Sequence, residues 1–393
     1  MPHPHAVIST RGARRWHQGH PWIFASDLIT RPGDGEAPAG AVDVRDPQGR
    51  ALGTALWSPR SEIALRFVER RTGVVLDTTW WQARIETAVA RRAGILDTET
   101  TACRLIHGEG DGLPSLVVDR FDRWLVVQLL SAGLEAHRTE VVEALRAIGG
   151  IEGILARNDA SVRAREGLAR IVEPLWGTVP ETIEVREHGV RYLAAPHTGQ
   201  KTGAFLDQRE ARRLVAGVAR GRALDLFSYH GSFALHLAAT ATSVVAVDSS
   251  APALARAAEN AVLNGRTNIR LVVADVFDFV REAEQRGDRF ETIVLDPPAF
   301  AKNRASITGA LRGYKELNLR CMRLLAPGGQ LYTASCSYHV RKPEFLGILE
   351  EAAKDAGRRM ILRAITGQPG DHPEVLTIPE TGYLKGALVE AGD

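Results

Sequence analysis

The chain has 393 residues, of which 45% are hydrophobic and 24% are charged, and its formal net charge is +2. This composition excludes a disordered chain, and the length predicts two or three domains rather than one hydrophobic core. The small net charge excludes attraction of nucleic acid by the field of the whole molecule, so such binding would depend on local basic patches.

No segment reaches the roughly 18 uninterrupted apolar residues that span a bilayer, and the first residues lack the apolar run of a signal peptide. We therefore expect a cytoplasmic protein without membrane contacts. Its three cysteines, Cys103, Cys321 and Cys336, are widely spaced and form no C-x-x-C pair. This spacing argues against a disulfide framework and a thiolate zinc site, so reduced thiols are expected. No metal site is expected elsewhere in the chain.

Residues 1–72 are predicted to form a small β-rich domain. Its strand-like runs, separated by Gly and Pro turns, are residues 41–45, 52–57 and 63–68. An arginine cluster, Arg11, Arg14 and Arg15, precedes these runs. Contact with phosphates and simple solvation are both open for these side chains.

Residues 73–182 are predicted to form a mixed α+β domain, followed by a β-hairpin linker at residues 183–200. The predicted helices are residues 80–94 and 135–148, and the predicted strands are residues 116–119, 124–130, 154–156 and 168–172. The two strands of the linker would be joined around His188-Gly189.

In residues 201–393, short apolar runs alternate with amphipathic helices. The runs are residues 223–227, 243–247, 269–273, 292–295 and 330–333. This alternation predicts an α/β domain in which parallel strands, joined by helical crossovers, form a doubly wound sheet. Because open parallel sheets bind ligands at the carboxyl ends of their strands, the residues after each run are candidate site residues.

The first of these loops reads Asp-Leu-Phe-Ser-Tyr-His-Gly-Ser-Phe over residues 225–233. It offers Phe227, Tyr229 and Gly231 as candidate cofactor contacts. A nicotinamide dinucleotide fingerprint needs three glycines so that the backbone can approach the pyrophosphate, and this loop has one. An oxidoreductase of that kind is therefore disfavoured.

Acidic residues follow the next two runs. Asp248, followed by Ser249, could accept hydrogen bonds from the two hydroxyls of a ribose, although a cap for the following helix is an alternative. Asp275 and Val276 offer a carboxylate and an apolar surface, which suit the amino edge and the ring of an adenine.

The fourth loop, Asp296-Pro297-Pro298-Ala299-Phe300, is the most specific. Two consecutive prolines end strand pairing and make the loop rigid. A rigid loop would hold the carboxylate of Asp296 and the ring of Phe300 against a flat substrate base, although a tight loop without a function remains an alternative.

Cys336 lies between two serines, directly after the run at 330–333. C5 of a pyrimidine is a poor nucleophile, but a thiolate that adds to C6 converts C5 into an enamine-like carbon that accepts a methyl group from a sulfonium donor. Cys336 would be that catalytic thiolate, and Asp296 would assist by hydrogen-bonding the N3/N4 edge of a cytosine. A small buried hydrophobe is the alternative for Cys336, and the base that removes the C5 proton is not identified.

Together with the segment Thr-Gly-Ala-Phe-Leu-Asp-Gln-Arg at residues 202–209, these loops resemble the bacterial 23S ribosomal RNA 5-methylcytosine methyltransferases of the RlmI type. The resemblance extends over nearly the whole chain. It implies an N-terminal RNA-binding PUA domain, a central α+β domain, and a Rossmann-like class I methyltransferase domain. One departure lies in the first loop, where His230 and Ser232 stand in place of the family's usual Thr and Gly.

The resemblance implies S-adenosylmethionine as the cofactor. Its pocket residues would be Gln208, Arg209, Tyr229, Asp248, Asp275 and Asp296, to which the loop positions add Phe227, Gly231, Ser249 and Val276. The implied partner is 23S ribosomal RNA or the large ribosomal subunit, and a homodimer is left open. Two alternatives also stay open: methylation of a base nitrogen in ribosomal RNA, and a non-catalytic RNA-binding or ribosome assembly factor.

Overall fold

The computed structural model of this protein describes residues 3–300 and 307–392. The chain forms two compact units. The first unit comprises Met1–Val185, Ala194–Leu206 and Gly370–Gly382, and the second comprises Arg186–Leu193, Asp207–Pro369 and Tyr383–Asp393. Within the described residues, no helix has the length and apolar character needed to cross a membrane. The domain boundaries predicted at residues 72 and 182 remain predictions.

The first unit begins with a six-stranded sheet in the order β2-β6-β5-β4-β1-β3. Its elements are β1 His5–Ile8, α1 Thr10–His17, β2 Trp22–Ile23, β3 Leu28–Thr30, β4 Gly40–Arg45, β5 Ala51–Trp57 and β6 Leu65–Glu69. Trp16 of α1 stacks on Phe67 of β6 at 4.0 Å, inside the core. The three predicted strands are confirmed. Helix α1 was not predicted because its buried face consists only of Gly12, Ala13 and Trp16.

The arginine cluster has a structural role that the sequence did not indicate. Arg11 Nε lies 2.6 Å from Asp27 Oδ1, and Arg15 Nη1 lies 2.8 Å from Asp27 Oδ2. Asp27 is fully buried, and burial alone would raise its pKa, but the hydrogen bonds from both arginines outweigh burial and lower the pKa. Of the two alternatives left open, simple solvation is incomplete for these side chains, because each pairs with Asp27, and contact with phosphates remains open.

The first unit also contains a five-stranded sheet in the order β11-β10-β9-β8-β7. Its elements are α2 Thr78–Ala90, β7 Ala102–His107, β8 Leu116–Phe121, β9 Trp124–Leu129, α3 Ala132–Glu135, α4 Arg138–Arg146, β10 Gly153–Asn158, α5 Val162–Arg165 and β11 Ile171–Gly177. The predicted helix at 135–148 corresponds to α4, and its first residue, Glu135, is the last residue of α3. The predicted strand at 168–172 begins later, because Arg163 Nε donates to Ala169 O and holds this segment as a loop.

Strands β12 Ile183–Glu187 and β13 Val190–Ala194 pair as the predicted hairpin. The second unit is built on a seven-stranded sheet in the order β16-β15-β14-β17-β18-β20-β19. Its strands are β14 Arg222–Leu226, β15 Ser243–Asp248, β16 Ile269–Val273, β17 Phe290–Leu295, β18 Leu325–Ser335, β19 Met360–Thr366 and β20 Lys385–Ala391. Its helices are α6 Arg209–Ala216, α7 Ser232–Leu237, α8 Ala251–Leu263, α9 Val276–Gln285, α10 Ile307–Leu324 and α11 Lys342–Ala356.

The sheet has helices on both faces, as predicted. Leu224 and Leu226 of β14 pack in one hydrophobic cluster with residues of α9, α10 and α11. Ala223, which points to the opposite face because side chains alternate along a strand, packs in a second cluster with residues of α6 and α7. The sheet is not entirely parallel, however: β20 runs antiparallel to both β18 and β19, and the sequence analysis identified neither β19 nor β20.

Candidate functional site

Most of the predicted site residues lie along the side of the seven-stranded sheet where the parallel strands have their carboxyl ends. Strands β14 to β18 are parallel, so their carboxyl ends share this side. Taken in sheet order, the residues that follow these strands are Asp275 after β16, Asp248 and Ser249 at the end of β15, Phe227 to Gly231 after β14, Asp296 after β17, and Cys336 after β18. The register pairs Leu295 with Thr333, which brings the segments of Asp296 and Cys336 side by side.

The loop after β14 has an unusual backbone. Phe227 has φ +62°, Tyr229 has φ +49°, and Gly231 has φ +82°. For a residue other than glycine such a conformation costs on the order of 1–3 kcal/mol, and it persists only where the surroundings enforce it. One such restraint is the Tyr229 N–H, which donates to Asp248 Oδ2 at 2.8 Å. Strain of this kind is typical of ligand-binding loops.

Asp248 links two of the site loops. Its Oδ2 accepts from Tyr229 N, and its Oδ1 accepts from Ser250 N at 2.8 Å. The cap of helix α8 is Ser250, whose side chain accepts from Ala253 N. Asp248 is therefore not the helix cap that the sequence left open. It is half-buried, and Ser249 beside it is exposed.

Asp275 and Val276 both have structural roles. Asp275 is the N-cap of α9, and its Oδ1 accepts from Phe277 N at 2.8 Å and from Asp278 N at 3.3 Å. Val276 is 3% exposed and packs in the core under the sheet. Their predicted contacts with an adenine remain predictions.

Asp296 is held by the segment that precedes α6. Its Oδ1 accepts from Gln208 Nε2 at 2.8 Å, and Gln208 Oε1 in turn accepts from the hydroxyl of Tyr332 at 3.3 Å. The adjacent Arg209 is buried, and its Nε donates to Glu210 Oε1 at 3.0 Å. The structure thus brings Gln208 and Asp296 together, and it places Arg209 in an ion pair with its neighbour.

Cys336 is the partly exposed thiol among the three cysteines. Strand β18 extends to Ser335, two residues beyond the predicted run, and Cys336 is the first residue after the strand. Cys103 and Cys321 are fully buried. Burial raises the pKa of Cys321, which makes that thiol unreactive at neutral pH.

Several aromatic rings lie near the segments of Asp296 and Cys336. The ring of Phe300 lies 6.4 Å from that of Phe227, 6.1 Å from that of Phe277, and 4.8 Å from that of Tyr314. The Tyr314 hydroxyl is 2.9 Å from Ser337 Oγ. Burial raises the pKa of Tyr314, so its phenol stays neutral at physiological pH. Tyr314 was missed because, in the middle of helix α10, it looks like any core aromatic residue.

Polar atoms near the strained loop fit S-adenosylmethionine. Asp225 Oδ1 and Ser228 Oγ are buried without a hydrogen-bond partner in the part of the chain that the structure describes. Burial also raises the pKa of Asp225 well above its usual value, which favours the neutral carboxyl group, an O–H donor. Together with the carboxylate of Asp248, these groups match the amine, carboxylate and ribose hydroxyls of S-adenosylmethionine.

His230 is one of the two residues by which the loop departs from the family pattern. It is buried and stacks on Tyr192 at 5.4 Å, and within the described ranges neither ring nitrogen has a hydrogen-bond partner. Burial lowers the pKa of His230 to about 4, so the ring is neutral at physiological pH.

Over residues 3–300 and 307–392, no group of His, Cys, Asp and Glu is arranged to hold a metal ion.

The chain is similar to known methyltransferases. A family model described as S-adenosylmethionine-dependent methyltransferase matches residues 103–387, and a model described as PUA-like domain matches residues 7–70. The ribosomal RNA large subunit methyltransferase I of Tolumonas auensis is 40% identical over 380 residues, which are 95% of either chain.

Two solved structures share the fold over almost the whole chain. A putative methyltransferase from Streptococcus mutans has a TM-score of 0.83 at 21% identity, and the match covers 98% of this chain and 100% of that one. A putative methyltransferase in complex with SAH has a TM-score of 0.84 at the same identity and coverage. These structures confirm the predicted fold class, and the family models confirm the PUA-like domain and the dependence on S-adenosylmethionine.

Proposed function

This chain belongs to the S-adenosylmethionine-dependent methyltransferases, in the family of the ribosomal RNA large subunit methyltransferases I, and on that premise we propose that it methylates C5 of a cytidine in 23S ribosomal RNA. The names of its relatives support ribosomal RNA as the substrate. The PUA-like domain supports RNA as the ligand of the N-terminal part.

The observation that carries the proposed chemistry is the position of Cys336. Its partly exposed thiol follows β18, and Asp296 follows the neighbouring strand β17, with Phe300 four residues further along the same loop. A thiol, a carboxylate and aromatic rings therefore lie at the carboxyl ends of neighbouring strands. Attack on a pyrimidine ring needs these three kinds of group.

The proposed reaction assigns one task to each side chain. S-adenosylmethionine, when bound, supplies an electrophilic methyl group. The Cys336 thiolate forms a bond to C6 of the cytosine, and C5 then takes the methyl group while S-adenosylhomocysteine leaves. Transfer of the C5 proton to a base and release of the thiolate then restore the aromatic ring. Asp296, oriented by Gln208, hydrogen-bonds the N3/N4 edge and favours the addition.

The rings around Phe300 support a base taken out of its stack. RNA is recognised in a sequence-specific way mostly where unstacked bases pack on aromatic side chains. Phe300 contacts both Phe227 and Tyr314, so its ring is held in a fixed position. A ring fixed in the loop of Asp296 would set the face of the cytosine that Cys336 attacks.

The test is nucleoside mass spectrometry of ribosomal RNA and of large subunits after incubation with the protein and methyl-labelled S-adenosylmethionine. We expect labelled 5-methylcytidine with the wild type and none with Cys336→Ala. Cys103→Ala, a change at a buried cysteine of the first unit, is the matched control and should retain the product. Label in a methylated adenosine or guanosine would favour nitrogen methylation instead, and RNA binding without transfer would favour a non-catalytic factor.

A further inference from the structure

Lys385 is a buried cation to which the proposed reaction assigns no role. It is the first residue of β20 and is 6% exposed. Its Nζ donates to Ser337 O at 2.5 Å and to Tyr383 O at 2.9 Å. In the described part of the chain, no carboxylate oxygen lies within 4.0 Å of this nitrogen, which is the distance limit for an ion pair. Lysine is almost never buried without a charged partner, so a counter-ion is expected nearby.

The fold places this lysine beside Cys336. In the antiparallel pairing of β18 and β20, Lys385 lies directly opposite Ser335. Its Nζ then reaches the carbonyl of Ser337. The lysine therefore contacts the residues on both sides of Cys336, and the thiol is the nearest group on this segment that can carry a negative charge.

The electrostatic interactions of Lys385 agree with this placement. Burial lowers the pKa of Lys385 to about 8, whereas a negative charge on Cys336, and to a smaller extent Glu344 of α11, acts to raise it. Because an interaction between two titrating groups is reciprocal, the ammonium favours the thiolate of Cys336 to the same extent. Tyr314, which approaches from α10, stays a neutral phenol and adds no charge.

We propose that Lys385 is a positioning residue that holds Cys336 as a thiolate in an ammonium–thiolate pair. The thiol loses its proton to water, and the ammonium keeps its three protons, so the pair is neutral and needs no further reactant. The use of this thiolate for attack on a cytosine rests on the proposed function, but the existence of the pair does not.

The first test measures the alkylation rate of Cys336 by iodoacetamide against pH, with the modified peptide quantified by mass spectrometry. We expect the midpoint of the wild-type profile to lie about one pH unit or more below that of Lys385→Met, because an adjacent opposite charge shifts an ionisation by this amount. Lys385→Arg should restore most of the shift, and Lys354→Met, at an exposed helix position, should leave it unchanged. Coinciding midpoints for the wild type and Lys385→Met would overturn the proposal.

A reciprocal test does not depend on the folding of a lysine variant. In Cys336→Ala, the counter-ion is removed by a small change at a half-buried position. The pH midpoint for acetylation of Lys385 should then fall relative to the wild type, and an unchanged midpoint would refute the pair. Neither test uses RNA or S-adenosylmethionine. A shifted thiol in a protein that makes no 5-methylcytidine would therefore support the pair and contradict the proposed function.

Discussion

At the scale of single residues, the candidate site combines groups that the sequence identified with groups that it did not. Asp296 and Cys336 were predictable because one directly follows an apolar strand-like run and the other lies three residues after the end of the next such run. Tyr314 and Lys385 were not, since one lies inside a long helix and the other begins a strand that runs against its neighbours. Their contribution depends on contacts between residues far apart in the sequence, for which a local pattern gives no signal.

Asp248 gives a prediction at this scale. Replacement by Ala removes a carboxylate that orders Tyr229 and that would accept hydrogen bonds from the ribose of S-adenosylmethionine. Hydrogen bonds to a charged group contribute about 1.5–3 kcal/mol, so Asp248→Ala should weaken cofactor binding by about 10-fold to 100-fold. Isothermal titration calorimetry measures this directly. Asp278→Ala, at an exposed position on α9, is the control, and an equal affinity in both variants would contradict the assignment of Asp248.

At the scale of secondary structure elements, the parallel strands were predictable because strands buried on both faces form continuous apolar runs. All five runs predicted in the second unit lie in or overlap strands of the central sheet. Strand β19 was missed because it lies at the edge of the sheet, where Leu362 and Ile365 are exposed and the alternation with buried positions is irregular. Helix α1 was missed because its sequence contains Gly12 and four charged or titratable side chains, so its narrow apolar face gives no clear helical pattern.

A buried ion pair joins the hairpin to helix α6. Glu187 of β12 accepts from Arg212 Nε at 2.6 Å and Arg212 Nη2 at 2.7 Å, and His236 Nε2 lies 3.1 Å from Glu187 Oε1. Glu187→Gln would leave Arg212 buried without its charge partner. The variant should therefore lose about 3–5 kcal/mol in the free energy of unfolding, measured by urea denaturation at pH 7. Glu282→Gln, on an exposed helix face, is the control and should lose little.

The pH dependence of this loss has a definite sign. Burial alone would raise the pKa of Glu187, but Arg212, with a smaller effect from His236, lowers it far below the ordinary value of 4.5. A depressed pKa in the folded state contributes stability at pH values above the pKa of the unfolded state, and this stability is lost as the pH falls toward the folded value. The difference between the wild type and Glu187→Gln should therefore shrink as the pH is lowered from about 5. A constant difference would show that the pair does not act through ionisation.

At the scale of the whole molecule, each of the two compact units is built from segments that are not consecutive in the sequence. The segment Gly370–Gly382 belongs to the first unit, although its neighbours on both sides belong to the second. It is held there by Asp371, whose Oδ2 accepts from Arg104 N at 3.0 Å and whose carbonyl accepts from Arg92 Nη2 at 2.7 Å. No composition change marks this return of the chain, so the sequence predicted one uninterrupted domain from residue 201 to the end.

The central claim for the whole molecule is that Cys336 bonds to C6 of a cytosine during methyl transfer. It is tested most directly with large-subunit RNA that carries 5-fluorocytidine, since fluorine at C5 leaves no proton to remove after methylation and the adduct cannot release the thiolate. The wild type, incubated with this RNA and S-adenosylmethionine, should give a protein–RNA adduct that survives denaturing electrophoresis and maps to Cys336, and Cys336→Ala should give none. Absence of the adduct with the wild type, or an adduct at another residue, would contradict the mechanism.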